Sequence, residues 1–147
     1  LNRMLQGKQP IIYGDGKQQR CFSYIDDCLY CLNALAFQDN VVGEVINIGP
    51  DEEPITINEL AEACANETGL NLDPIHHKDR PKEVKLAVCS SDKARDLLGY
   101  STATNMRQSV KKTAEYIRTR GTKKFQYHLP LEIINDQTPD TWKKKLI

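Results

Sequence analysis

Two arginines and a carboxylate fall on two short runs of this sequence. One run is Arg80-Pro81-Lys82-Glu83-Val84-Lys85; the other is Ile11-Ile12-Tyr13-Gly14-Asp15-Gly16, with Arg20 a little further on. A guanidinium presents a planar fork of donors that fits phosphate oxygens two at a time. A carboxylate just past a proline kink can take the hydroxyls of a sugar. Together these groups suit a ligand that carries a diphosphate and a ribose. No run in the chain offers redox or acid–base chemistry to act on such a ligand.

Each piece taken singly has a plainer reading. Gly14-Asp15-Gly16 is turn chemistry, as ordinary in a hairpin as beside a phosphate. Arg20 and Arg80 read as solvated surface charges, Glu83 as a surface acid and Tyr13 as a core aromatic. Cys28-x-x-Cys31 looks like half of a redox or zinc site, but no second cysteine pair accompanies it, and packing is the better reading. His76-His77-Asp79 has metal-ligand types, yet adjacent histidines on a strand point to opposite faces. No metal ligands are assigned.

The 147 residues suffice for one domain with a real core. Twenty basic residues balance 20 acidic ones, which leaves no basic excess for a nucleic-acid partner. No apolar run nears the roughly 20 residues of a membrane span, and no signal peptide opens the chain. Five irregularly spaced cysteines do not make a disulfide framework. A soluble, cytoplasmic protein with no membrane partner is expected.

The elements that must position the two runs alternate between strand and helix. Residues 1–7 read as the last turns of a helix closed by Gly7. A domain seldom begins at a helix's end, so a fragment is expected. Strand, loop and strand follow over 10–13, 14–16 and 21–24. A helix starting at Asp26 or Asp27 places Cys28, Leu29, Leu32, Leu35 and Ala36 on one face. Residues 44–48 read as a strand buried on both faces, as in a parallel sheet. A brief extended piece at 55–57 leads into a helix capped by Thr56 or Asn58, with Leu60, Ala61, Cys64 and Ala65 inward and Gly69 as its stop. Residues 73–77 are a strand and 78–89 a polar loop. A short helix begins at Ser90 or Ser91 and ends at Gly99. A longer one begins at Thr104 or Asn105 and buries Met106, Val110, Thr113, Ala114 and Ile117. A tail with Trp142, a packing anchor or an oligomer contact, runs from Lys123 to the end. This is α/β, with a small mixed sheet and several helices, but too few strands for a complete doubly wound sheet.

In this order the motifs resemble the C-terminal, substrate-binding part of an extended short-chain dehydrogenase/reductase of the NAD-dependent nucleotide-sugar epimerase/dehydratase family. The residues that carry the resemblance are Gly7-Lys8-Gln9-Pro10-Ile11-Ile12-Tyr13-Gly14-Asp15-Gly16, Gln19-Arg20-Cys21-Phe22-Ser23-Tyr24-Ile25-Asp26-Asp27 and Asn47-Ile48-Gly49. Arg80-Pro81-Lys82-Glu83-Val84-Lys85, Ser91-Asp92-Lys93-Ala94-Arg95 and Leu97-Leu98-Gly99-Tyr100 complete the set. Each is weak alone; the ordered set turns the arginines from surface charge into site. The likeness covers about residues 1 to 118. The tail motif His128-Leu129-Pro130-Leu131-Glu132 resembles only some bacterial members.

The resemblance implies roles. The stretch matching Ile11, Ile12 and Tyr13 lines a nucleobase pocket, partly through main-chain groups. Arg20 and Arg80 reach the diphosphate, and Glu83 binds the nucleotide ribose. Where the family has Arg-Pro-Gly-Asp, this chain has Lys82 for the glycine and Glu83 for the aspartate. The family's chemistry is transient oxidation at sugar C4 by NAD, which needs a Gly-rich dinucleotide loop and a Tyr-x-x-x-Lys pair on a helix. Neither a catalytic residue nor a bound cofactor is therefore assigned to this chain, and the NAD-binding Rossmann domain is expected in the parent enzyme. Tyr13 and Lys17 have the spacing of that pair, but the two glycines between them make a turn. Residues 1–120 are expected to form the nucleotide-sugar-binding domain of a UDP-hexose or UDP-N-acetylhexosamine epimerase, and 121–147 a tail. A decarboxylase or 4,6-dehydratase is the enzymatic alternative; a non-catalytic binding or oligomerisation module is the other. The implied partners are a UDP-sugar and a second copy of the chain.

Overall fold

The computed structural model describes residues 1–127 and 129–146; His128, from the tail motif, and Ile147 lie outside them. A single-turn 3-10 helix, Met4–Gln6, opens the chain and is closed by Gly7 in the left-handed conformation. Strand β1, Ile11–Tyr13, pairs in parallel with β4, Ile75–His77. Strand β2, Gln19–Arg20, lies between β3, Ile55–Thr56, which is antiparallel to it, and β5, Leu86–Ala87, which is parallel. Two small sheets thus stand where the sequence suggests one. β1 and β2 do not pair with each other, so Gly14-Asp15-Gly16 joins two sheets and is not a hairpin turn.

Helix α1, Ile25–Phe37, follows β2. Helix α2, Ile57–Thr68, begins on a full capping box in which the Thr56 hydroxyl accepts from the Glu59 N–H and the Glu59 carboxylate accepts from the Thr56 N–H. Helix α3, Asp92–Leu98, ends at Gly99. Helix α4, Met106–Arg120, has a second capping box, made by Asn105 and Gln108. A single turn, α5, Asp140–Lys143, lies in the tail.

The core has two centres. Met4, Ile12, Ala61, Cys64 and Val110 form one, under β1, α2 and α4. Cys31, Val41, Ala94, Leu98 and Tyr100 form the other, between α1 and α3. The segments singled out at Asn47-Ile48-Gly49 and Ser91 to Arg95 meet here. The Ser91 hydroxyl donates to the Gly49 carbonyl, the Ser91 N–H donates to Asp51 at 2.8 Å, and Arg95 pairs with Asp51, Glu52 and Asp92. Buried Asp27 ties α1 to the start of α4 by accepting from the Thr104 N–H and hydroxyl, both at 2.8 Å.

Six expectations need correction. The extended segment after Gly16 is β2 at Gln19–Arg20, earlier than 21–24, because backbone pairing on both sides holds these two polar residues while 21–24 pairs with no strand and leads to the N-cap of α1 at Tyr24. The loop 78–89 contains β5, too short to leave a periodicity. Residues 44–48 are not a strand; no described strand flanks them, and Val45 is 84% exposed. The face of α1 expected inward is not the buried one. Asp27 and Cys31 are buried, whereas Leu29 and Leu32 are 50% and 51% exposed. On α4, Thr113 likewise faces out. In the tail, Thr141 is wholly buried and Trp142 half exposed, so the anchor is the threonine.

Candidate nucleotide-binding site

The two runs meet because each is strung between the same two sheets. The first leaves β1, passes Gly14 to Gln18 and enters β2; the second leaves β4, passes Lys78 to Lys85 and enters β5. Parallel pairing of β1 with β4 and of β2 with β5 lays the two connections side by side. Backbone bonds fix both ends: the Gly14 N–H donates to the His77 carbonyl at 2.8 Å and the Gln19 N–H to the Lys85 carbonyl at 2.7 Å. Gly14 has φ +67, a backbone conformation that favours glycine, and a Cβ there would push aside the Asp79 carboxylate.

Within the second connection, Arg80-Pro81-Lys82-Glu83 closes on itself through the Glu83 N–H and the Arg80 carbonyl at 3.2 Å. Proline at the second position and a positive φ of 58° at Lys82 are the pattern of a type II turn, whose third position favours glycine. The resemblance puts a glycine at that position. The turn sets Arg80 beside Glu83, Nε to Oε2 2.7 Å, while Arg20 Nη2 reaches the other oxygen, Oε1, also at 2.7 Å. The Arg80 guanidinium lies over the Tyr13 ring, 4.9 Å from its centroid. Tyr13, Arg20, Arg80 and Glu83 are thus one cluster. Glu83 is the most enclosed of the three ion-pair partners, with 9% of its side chain exposed against 25% for Arg20 and 45% for Arg80. One carboxylate therefore organises two cations, and lone pairs on each oxygen remain for hydroxyl donors.

Ile11 is half-buried beside the cluster, but the Ile12 side chain belongs to the core and only its backbone faces the pairing with β4. Burial raises the Tyr13 phenol above its ordinary value, against a smaller lowering by Arg80. That is the opposite of an activated tyrosine. Lys17 sits across the turn and points its ammonium toward Asp15 at 4.0 Å. Sequence reasoning missed Gln18, which is buried and donates from Nε2 to the Tyr13 carbonyl at 3.1 Å, bracing the end of β1. A single glutamine between two strands carries no pattern that marks it. His76 is committed to the Gly14 carbonyl at 2.8 Å. Among the described residues no three His, Cys, Asp or Glu side chains cluster as a metal site.

A hollow of about 200 Å3 opens beside Tyr13 and Arg80. A larger one, about 500 Å3, lies elsewhere, between Phe22, Glu52, Thr104 and Met106; its lining includes Glu52 and Glu53 and no cation, the wrong sign for a phosphate. The residues present do not fit a dinucleotide. The three helices that follow strands, α1, α2 and α3, start without a glycine-rich turn and carry Asp26 and Asp27, Glu59 or Asp92 in their first turns, where a pyrophosphate would be repelled.

Comparison with known proteins places this chain in a family. The sequence model described as GDP-mannose 4,6 dehydratase matches residues 1–113. The chain belongs to that family, among the NAD-dependent nucleotide-sugar epimerases and dehydratases of the extended short-chain dehydrogenase/reductase class. It is 30% identical over 118 residues to a putative UDP-glucose 4-epimerase of Methanocaldococcus jannaschii, covering 80% of this chain and 37% of that protein. It is 31% identical over 124 residues to a UDP-N-acetyl-alpha-D-glucosaminuronate decarboxylase of Bacillus cytotoxicus, covering 80% and 38%. The crystal structure of a UDP-glucuronic acid 4-epimerase from Bacillus cereus, in complex with UDP-glucuronic acid and NAD, superposes with a TM-score of 0.74 at 32% identity, over 82% of this chain and 38% of that one. The chain thus spans under two-fifths of the length of these relatives. No described helix is long and apolar enough to cross a membrane.

Proposed function

We propose that this chain is the nucleotide-sugar-binding portion of an NAD-dependent sugar epimerase acting on a UDP-hexose or UDP-N-acetylhexosamine. The observation that carries the reading is the convergence of Tyr13, Arg20, Arg80 and Glu83 from two separate connections. Arg20 and Arg80 bind the diphosphate, exchanging part of their pairing with Glu83 for phosphate oxygens. Glu83 holds both guanidiniums in place and turns its free lone pairs to the ribose hydroxyls. Tyr13 and Ile11 line the base, with Ile12 contributing through its main chain. The oxidation and return of hydride at the sugar belong to a part of the parent enzyme outside this sequence, which holds NAD, so the chain alone turns over no sugar. A decarboxylase is the second reading, favoured by the relative of that activity at 31% identity; the same four side chains serve it equally.

Calorimetry with UDP is the test. Arg20→Ala and Arg80→Ala should each weaken binding about tenfold, the effect of losing a charge-assisted hydrogen bond of about 1.5–3 kcal/mol, discounted for the exposure of Arg80. Arg20→Lys should recover only part, because an ammonium lacks the fork. If the double alanine variant binds UDP as tightly as the unmodified chain, the arginines are surface charge.

A further inference from the structure

The far wall of the hollow beside Tyr13 and Arg80 lies beyond the residues that the family model matches. It is made by the tail: Thr138, Pro139, Asp140 and Lys143 line it from the other side. The family match ends at residue 113, so this wall lies outside the matched residues.

The tail is held in place by specific bonds. Its start is pinned by Asn2, whose Nδ2 donates to the Lys123 carbonyl at 2.7 Å and whose Oδ1 accepts from the Lys123 N–H at 3.1 Å. Its end is pinned by buried Thr141, whose carbonyl accepts from the Tyr127 hydroxyl at 3.4 Å. Most polar groups on the wall are already committed. The Thr138 hydroxyl accepts from the Asn135 N–H at 3.1 Å and donates to the Ile133 carbonyl at 3.2 Å. Asp140 pairs with Lys144 at 3.0 Å. Lys143, half-buried on the wall, makes no ion pair with a described residue.

Size and polarity say which part of a ligand belongs there. A hollow of about 200 Å3 holds about seven water molecules' share of liquid volume, room for one heteroaromatic ring and not for a whole nucleotide. Tyr13 offers a flat face, and Arg80, over that ring, marks the phosphate end. Building on the nucleotide reading above, we propose that the tail turn around α5 is the base-recognising wall of the site, and that Lys143 donates to a ring carbonyl of the bound nucleoside diphosphate.

The test compares UDP with inorganic pyrophosphate, which carries the diphosphate and no base, on the full chain by calorimetry. Lys143→Ala should weaken UDP about tenfold and leave pyrophosphate unchanged. Lys143→Arg, which keeps a donor, should retain most of the UDP affinity, and Lys143→Gln gives a second reading if the alanine variant melts early. Equal losses for UDP and pyrophosphate would make Lys143 a phosphate cation and overturn the proposal. Unchanged UDP binding in all three variants would overturn it too, while leaving the arginine site standing. Failure of the unmodified chain to bind either ligand would instead sink the nucleotide reading, and this wall with it.

Discussion

At the scale of single residues, Lys82 sits in a backbone conformation that favours glycine. The turn around it keeps the geometry that suits glycine, φ 58°, with a lysine forced into it. A left-handed conformation costs a residue with a Cβ about 1–2 kcal/mol, part of which glycine returns through its greater freedom when unfolded. Lys82→Gly should therefore raise stability by about 0.5–1 kcal/mol in a urea titration; an unchanged or lower midpoint would mean that the turn is not strained there. The residue types of the site were legible: Tyr13, Arg20, Arg80 and Glu83 do come together. What the sequence does not display is that Glu83 binds the two arginines to each other. That depends on which strands pair, and strands of two residues leave no periodic trace.

At the scale of elements, helix starts and stops were read well because their chemistry is local. Thr56 and Asn105 cap through side chains three residues away, and Gly69 and Gly99 close α2 and α3 in the left-handed conformation. Strands were read less well, since a strand exists only with its neighbour. Residues 44–48 have the apolar run of a parallel strand but no partner among the described residues. The junction between that segment and α3 carries a pH signature. The Arg95 guanidinium and then the Ser91 N–H hold the Asp51 carboxyl at about 2, below its ordinary 3.8. A depressed carboxyl contributes stability that is fully present above 3.8 and is lost as pH falls toward 2. Asp51→Asn should thus be less stable than the unmodified chain at pH 5, and the gap should close between pH 4 and pH 2 when both are unfolded by urea and followed by circular dichroism. A gap independent of pH would show that the aspartate acts by shape and not by charge.

For the molecule as a whole, the uneven cover of the apolar surface is the main feature. Leu29 and Leu32 on α1, Phe37 at its end, and Val42 and Val45 beyond it are all at least half exposed. A solvent-facing apolar patch of this kind marks an interaction surface. The chain spans under two-fifths of the length of its relatives. Alone, the chain should associate through this face. Light scattering should report dimers or larger species at tens of micromolar, a range of weak affinity, and Leu29→Lys with Leu32→Lys should return the chain to monomer. A monomer throughout would mean that the face is tolerated in water. The sequence showed this periodicity; it did not show which side of α1 would be covered, because that depends on what packs against the helix.

The most direct test is to titrate isotope-labelled chain with UDP and follow its backbone amides by NMR. Shifts should concentrate at residues 11–20, 78–85 and 138–143, with Arg20 and Arg80 side-chain signals moving in step and the lining of the larger hollow around Phe22 and Met106 silent. Saturable shifts centred on that larger hollow, or none at either connection, would contradict the assignment of the nucleotide site.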